Sequence, residues 1–151
     1  MKSKLHSELQ TKALHYLRDK GYWIKAIEMP TPVGIIDAWG ISNSSYPKYD
    51  TCAIEVKVSR NDYHSRSQKY KEFSAENIAN YCYLLCPEGL IKDTESPNWG
   101  ILWFSEKTGR LRLIRKANRF EMTDKAKLAV IIHFFYSGIN NVEKLTENFN
   151  L

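Results

Sequence analysis

Leu5, Leu9, Ala13, Tyr16 and Leu17 recur at helical spacing behind Ser3, a capping residue, and Gly21 supplies a stop. The pattern predicts a first helix over about residues 4–20. The period then shortens to that of strands: "YWIKAIE" (22–28), "TPVGIIDAWGI" (31–41) after the Pro30 to Pro32 break, and "DTCAIEVKVS" (50–59). Between the last two lies "SNSSYPKY", polar and rich in turn formers. A helical segment follows over about 62–78, with Tyr63, Tyr70, Phe73 and Ile78 near one face and Arg66, Lys69 and Lys71 among its polar positions. "ANYCYLLCP" reads as a fourth strand, and "WGILWFS" and "RLRLIRKA" as a hairpin about "EKTG". A last helix spans about 123–137, closed by Gly138, with a short helix expected in the tail. Its stripe Leu128, Ile131, Ile132 and Phe135 is assigned to the core. The order α-β-β-β-α-β-β-β-α predicts a single α/β domain over 1–151: a mixed sheet flanked by helices.

Within this pattern, Glu55 and Lys57 break an apolar strand. Side chains alternate along a strand, so these two project together while Ile54, Val56 and Val58 point the other way. Asp37 is a second isolated acid, in the preceding strand. An antiparallel pairing that sets Asp37 opposite Glu55 places the midpoint of the connection at Tyr46, inside the polar loop, so turn chemistry and register agree. Directly opposed β-carbons lie about 4.5–5.5 Å apart, close enough for two carboxylates to share one cation. Magnesium favours such hard oxygen ligands and keeps reactive waters. Lys57 would offset the repulsion between the acids, orient a water, or oppose charge growing on a phosphate. Asp37, Glu55 and Lys57 thus form a coherent apparatus for metal-assisted phosphodiester hydrolysis. A Glu-x-Lys pair on its own is commonly a solvated, salt-bridging face; the apolar context and the earlier acid in register set this one apart.

Composition narrows the setting without deciding the chemistry. The chain of 151 residues is 43% hydrophobic and 26% charged, an ordinary globular make-up. Its formal charge of +5 admits an anionic partner but is too small to demand one. Cys52, Cys82 and Cys86 lack CxxC spacing and lie among apolar residues, which implies reduced core thiols and no zinc site. The N-terminal stretch has no apolar signal-like run, and "LAVIIHFFY" is too short to span a bilayer. A soluble, cytoplasmic protein without membrane contact is expected.

Helix, strands bearing Asp37 and Glu55-Val56-Lys57, then helix and strand together resemble the PD-(D/E)XK nuclease superfamily, whose restriction-endonuclease-like core is α-β-β-β-α-β. The resemblance covers about residues 5–87, with the hairpin and C-terminal helix of 88–151 as an elaboration. Ile36 stands where the motif has proline. "IEVKVSRNDY" further resembles MmcB-like DNA repair proteins through Ser59, Arg60, Asp62 and Tyr63; Lys69, Tyr70 and Phe73 fit the later part of that signature only with one residue inserted. The resemblance implies a magnesium- or manganese-dependent endonuclease or nickase acting on DNA in repair, mobile-element or phage DNA processing. It implies metal ligation by Asp37, Glu55 and the Val56 carbonyl, with Lys57 assisting the water. A non-catalytic DNA-binding or complex-forming module of the same fold is the alternative.

Several residues carry two readings. Glu8 in the first helix either completes the metal site, as in part of the superfamily, or pairs at the surface with Lys4 or Lys12. Arg60, Arg66 and Lys69 follow the proposed catalytic strand and either contact DNA phosphates or form a wet helix face. Asp62 reads as a helix N-cap. His6, His15, His64 and His133 have no partner at ligand spacing and are assigned to the surface. Tyr81, Tyr83, Trp99, Trp103 and Phe104 either stack on bases or belong to the sheet's core and rim. A homodimer would suit cutting of two strands, although no self-complementary surface is visible in the sequence.

Overall fold

A computed structural model describes residues 2–44 and 49–148, with 137–148 described by backbone alone. Helix α1 (Lys4–Asp19) starts where Ser3 accepts a hydrogen bond from the His6 N–H at 3.0 Å. Strands β1 (Ile24–Thr31), β2 (Gly34–Ile41) and β3 (Thr51–Val56) form an antiparallel meander. β1 runs further than expected, through Pro30. It is an edge strand, where a residue without an N–H is tolerated, so the break falls instead at the two-residue Pro32-Val33 turn.

The single expected helix after β3 is broken into α2 (Arg60–Tyr63), α3 (Arg66–Phe73) and a 3₁₀ turn at Ala75–Asn77. Ser65 marks the break between α2 and α3, and Ser59 the start of α2. Ser59 caps α2 by accepting from the Asp62 N–H, and Ser65 caps α3 by accepting from the Gln68 N–H, each at 3.1 Å. Asp62 is therefore a residue of the first turn, with Ser59 as the N-cap. Strand β4 (Tyr81–Pro87) pairs parallel with β3, β5 (Gly100–Ser105) pairs parallel with β4, and β6 (Arg110–Arg115) closes the hairpin around residues 106–109. The six strands lie in sequence order in one mixed sheet.

The sheet is covered on both faces. Leu9, Ala13 and Leu17 of α1 pack on Ala38, Ile54, Val56 and Leu85. The opposite face, with Trp39, Ala53, Leu84 and Ile101, is covered by Ile78 and by Val130 of α4 (Asp124–Asn148). Strand alternation puts Glu55 and Lys57 on this second face with Ala53. Cys52, Cys82 and Cys86 are buried and free. Two expectations for α4 change. The helix passes through Gly138 to Asn148, since a lone internal glycine costs only about 1 kcal/mol. Its packed residues are Val130 with Ala126, Ile131 and Phe134, whereas Leu128, Ile132 and Phe135 are 57%, 53% and 63% exposed. Residues 126–136 are apolar nearly all round, so spacing alone could not select the buried face. Among the described residues no helix is long and apolar enough to cross a membrane.

Candidate functional site

The β2–β3 ladder pairs Ala38 with Ile54 and Trp39 with Ala53, the register that sets Asp37 opposite Glu55 at the next step. Tyr46, the expected midpoint of the connection, lies outside the described residues. At Asp37 side chains take over from backbone pairing. The Asp37 N–H donates to Glu55 Oε1 at 2.9 Å, and the Val56 N–H donates to Asp37 Oδ2 at 2.8 Å. The Asp37 carbonyl accepts from Gln10 Nε2 at 2.9 Å. Each acid thus holds a backbone amide of the other's strand, which fixes both carboxylates where the ladder ends.

Glu28 extends the row. On β1, Ile27 pairs with Ala38 and Met29 with Ile36, so Glu28 faces Asp37 across the strand pair. Its φ of 51° is left-handed, an uncommon state for a residue with a β-carbon and one that concentrates at functional sites. Glu28 forms an ion pair with Lys2, whose hydrogen bond to it holds its carboxyl below the usual range.

Two ammonium groups face Glu55. Lys71 Nζ donates to Glu55 Oε2 at 3.0 Å and to the Ile35 carbonyl at 2.8 Å, and Lys57 Nζ lies 3.8 Å from the same Oε2. Lys57 also lies 3.5 Å from Asp62 Oδ1. Glu55 is 2% exposed, Lys57 5% and Lys71 7%. Burial, and next the Asp37 charge, push the Glu55 carboxyl up, while Lys71 and Lys57 pull it back.

A cavity of about 540 Å³ opens over this cluster, lined by Asp37, Glu55, Val56, Lys57 and Lys71 together with Lys2, His6, Glu28, Asp62 and others. A larger cavity of about 680 Å³ lies at the opposite end of the sheet, beside Cys52 and Tyr81. Its one carboxylate, Asp50, is bonded by Arg119 at 2.7 and 3.1 Å, whereas the smaller cavity gathers Glu28, Asp37, Glu55 and Asp62.

The sequence-derived candidates divide cleanly. Asp37, Glu55, Val56 and Lys57 converge on the cavity, whereas Glu8 is exposed and does not line it. At about 100° per residue, Glu8 falls on the far side of α1 from Leu9, Ala13 and Leu17. His6 and Gln10 take the place near the sheet that was considered for Glu8. His6, expected at the surface, has a side chain only 12% exposed, with Nε2 3.4 Å from Asp37 Oδ1 and a buried Nδ1 that has no hydrogen-bond partner among the described residues. Arg60 is committed elsewhere. Its guanidinium grips Glu95 at 2.8 and 2.9 Å and the Leu90 carbonyl at 3.0 Å, tying α2 to the segment before β5 instead of presenting a free charge to phosphate. Arg66 and Lys69 are exposed on α3 and pair with no acid among the described residues.

Lys71 joins Glu28 and His6 as a site residue absent from the sequence-derived candidates. Lys71 falls by pattern among the polar positions of its helix, yet it shares α3's inward side with Gln68, which is 0% exposed. Among the aromatic candidates, Trp99, Phe104 and Tyr83 are buried in the sheet's packing and present no stacking surface.

Among the described residues no three His, Cys, Asp or Glu side chains are grouped to hold a metal ion. The donor chemistry still suits a hard cation that needs only one or two carboxylates. Among the described residues, Asp37 Oδ1 makes no amide bond and Glu55 Oε2 is met only by amines. No family model and no curated protein matches the chain. It is similar in fold to a solved protein of unknown function from Silicibacter pomeroyi, with 14% identity, a TM-score of 0.75, and coverage of 100% of this chain and 97% of that one. That likeness supports the mixed α/β architecture and carries no activity with it.

Proposed function

We propose that this chain is a deoxyribonuclease with a restriction-endonuclease-like core that hydrolyses DNA phosphodiester bonds with magnesium or manganese. The observation that carries the reading is the reciprocal brace of Asp37 and Glu55, with Lys57 beside it, under a cavity open to solvent. Asp37, Glu55 and the Val56 carbonyl would hold the cation, which when bound supplies Lewis acidity and an activated water. The protein's own contribution is positional. The amide braces hold the two carboxylates at fixed separation, and Lys71 favours the ionised form of the otherwise desolvated Glu55. Lys57 stands ready to oppose charge that builds on a phosphate. Arg66 and Lys69 offer exposed positive charge to the flanking backbone. Glu8 is not part of this proposal.

The residues that resemble MmcB-like proteins support the reading indirectly. Ser59 caps α2, Arg60 clamps Glu95, Asp62 faces Lys57, and Tyr63 bonds Ser96 at 2.6 Å. They anchor the segment that follows the catalytic strand.

The alternative, a DNA-binding module without turnover, is favoured by one observation: Lys71 sits on the Glu55 oxygen that a cation would need. Nicking of supercoiled plasmid and cleavage of single-stranded and branched DNA, with and without magnesium, decide between the two. The nuclease reading expects metal-dependent cutting that is lost in Asp37→Asn. Metal and DNA binding without cutting of any substrate would make the module the correct reading.

A further inference from the structure

Helix α3 faces two environments. Its inward side carries Gln68 and Lys71, the latter reaching Glu55. Arg66, Lys69, Tyr70 and Phe73, at spacing i, i+3, i+4 and i+7, form one outward stripe. A solvent-facing stripe is ordinarily polar. Here Tyr70 is 56% exposed and Phe73 is 86% exposed, next to two cations with no acidic partner among the described residues. The stripe begins at the cavity rim, because Ser65 and Ser67 at the start of α3 line the cavity, as does Ile35, itself 61% exposed.

We infer that this stripe is a platform for single-stranded DNA whose backbone leads into the cavity. The inference rests on the nuclease reading for the role of the cavity but makes its own claim about substrate class. Double-stranded DNA would satisfy Arg66 and Lys69 through its phosphates, yet its bases are stacked and paired and offer no face to Tyr70 or Phe73. Unpaired nucleotides present phosphates to the cations and bases to the rings at once. Tyr70 and Phe73 are about 4.5 Å apart along the helix axis, a separation suited to successive bases of one strand. Base stacking tolerates any sequence, so the platform selects the unpaired state of DNA and not its sequence. A flap, a fork or an unpaired end would therefore be bound with its single-stranded arm along α3 and the phosphate to be cut above Asp37 and Glu55.

The test separates bases from phosphates. Fluorescence anisotropy in EDTA would compare labelled oligo-dT, an abasic oligonucleotide of equal length with the same phosphates, and duplex DNA. Wild type is expected to bind oligo-dT more tightly than the abasic strand by at least roughly 5- to 150-fold, the range for one base stacked on one of the two rings. Tyr70→Ala/Phe73→Ala should erase that difference while leaving abasic affinity and its salt slope unchanged. Arg66→Ala/Lys69→Ala should weaken binding to both strands and flatten the slope. Equal wild-type affinity for oligo-dT and abasic DNA, a preference for duplex, or no DNA binding at all would overturn the inference. So would conversion of a dimer to a monomer by Tyr70→Ala/Phe73→Ala in sedimentation, since the stripe would then be a contact between copies. All four replaced residues are exposed, and thermal melts of the variants check that folding is retained. The assay does not read cleavage, so the two claims fail separately: base-dependent binding without magnesium-dependent cutting sinks the nuclease and leaves the platform standing.

Discussion

Lys71→Met keeps most of the buried stem of residue 71 and removes its charge, isolating one contact. Lys71 Nζ and Glu55 Oε2 are 3.0 Å apart. At an effective dielectric of about 20 the pair attracts by about 5–6 kcal/mol, much of which is offset by the desolvation of both groups. Breaking a buried pair from one side typically costs about 3–5 kcal/mol. Lys57 remains 3.8 Å from the same oxygen and partly replaces the lost charge, so the low end, about 3 kcal/mol, is expected at neutral pH. The pH dependence fixes the cause. Burial and Asp37 already raise the Glu55 carboxyl above its ordinary value, so ionising it opposes folding as pH rises from the unfolded value through the folded one. Without Lys71 that rise is larger. The stability gap between wild type and Lys71→Met should therefore be widest at neutral pH and close in acid, where Glu55 is protonated in both proteins. Urea denaturation at pH 7.5 and at pH 3.5, below the ordinary carboxyl value of 4.5, measures it. Glu55→Gln/Lys71→Met, which removes both charges, should cost less than the sum of the single changes. A gap below about 1 kcal/mol at neutral pH, or one of the same size at both pH values, would refute the coupling assigned to this pair.

Lys57→Met should lower single-turnover cleavage roughly 100- to 1000-fold while leaving DNA affinity near wild type, because a preorganised cation matters most as phosphate charge builds. Equal rates would make Lys57 structural. Away from the cavity, hydrogen bonds from Arg60 and then the Lys92 N–H hold the Glu95 carboxyl down at about 2, against an ordinary 4.5. The stability this adds is complete above the unfolded value and lost as pH falls towards 2. Glu95→Gln should therefore melt at a lower temperature than wild type at pH 7, with the difference vanishing near pH 2; a constant difference would show that the clamp acts through packing alone.

The parts of the fold legible in the sequence are those fixed by local chemistry. Ser3 marks the start of α1, and Glu106 to Gly109 close the β5–β6 hairpin. The midpoint rule for Asp37 and Glu55 gave the observed β2–β3 register. What stayed hidden depended on which face a helix turns to the sheet. α4 offers apolar residues on every side, and α3 buries a glutamine and a lysine while exposing a phenylalanine, the reverse of the usual pattern. Tertiary contact decided both, through the demand of Glu55 for a cation in one case and the fit of Val130 and Phe134 against the sheet in the other. Glu8 shows the same limit. An acid in α1 satisfied a pattern, but the phase of the helix brought His6 and Gln10 to Asp37 instead.

Glu28 follows from the same register rule. The rule that placed Asp37 opposite Glu55 also places Glu28 opposite Asp37, because the midpoint of 28 and 37 falls within the Pro32-Val33 turn. Three acids therefore lie in one row across β1, β2 and β3. Like charges directly opposed on neighbouring strands destabilise a sheet. Here each has its own compensation: Lys2 for Glu28, the Val56 amide with His6 close by for Asp37, and the Asp37 amide with two lysines for Glu55. A sheet whose only task was to fold would bury apolar residues at positions 37 and 55. The row is accompanied by a left-handed backbone at Glu28, an Nδ1 on His6 unpartnered among the described residues, and two ammonium groups taken out of water. Those costs are concentrated around one cavity, the distribution expected where local strain and desolvation serve a site and not the fold.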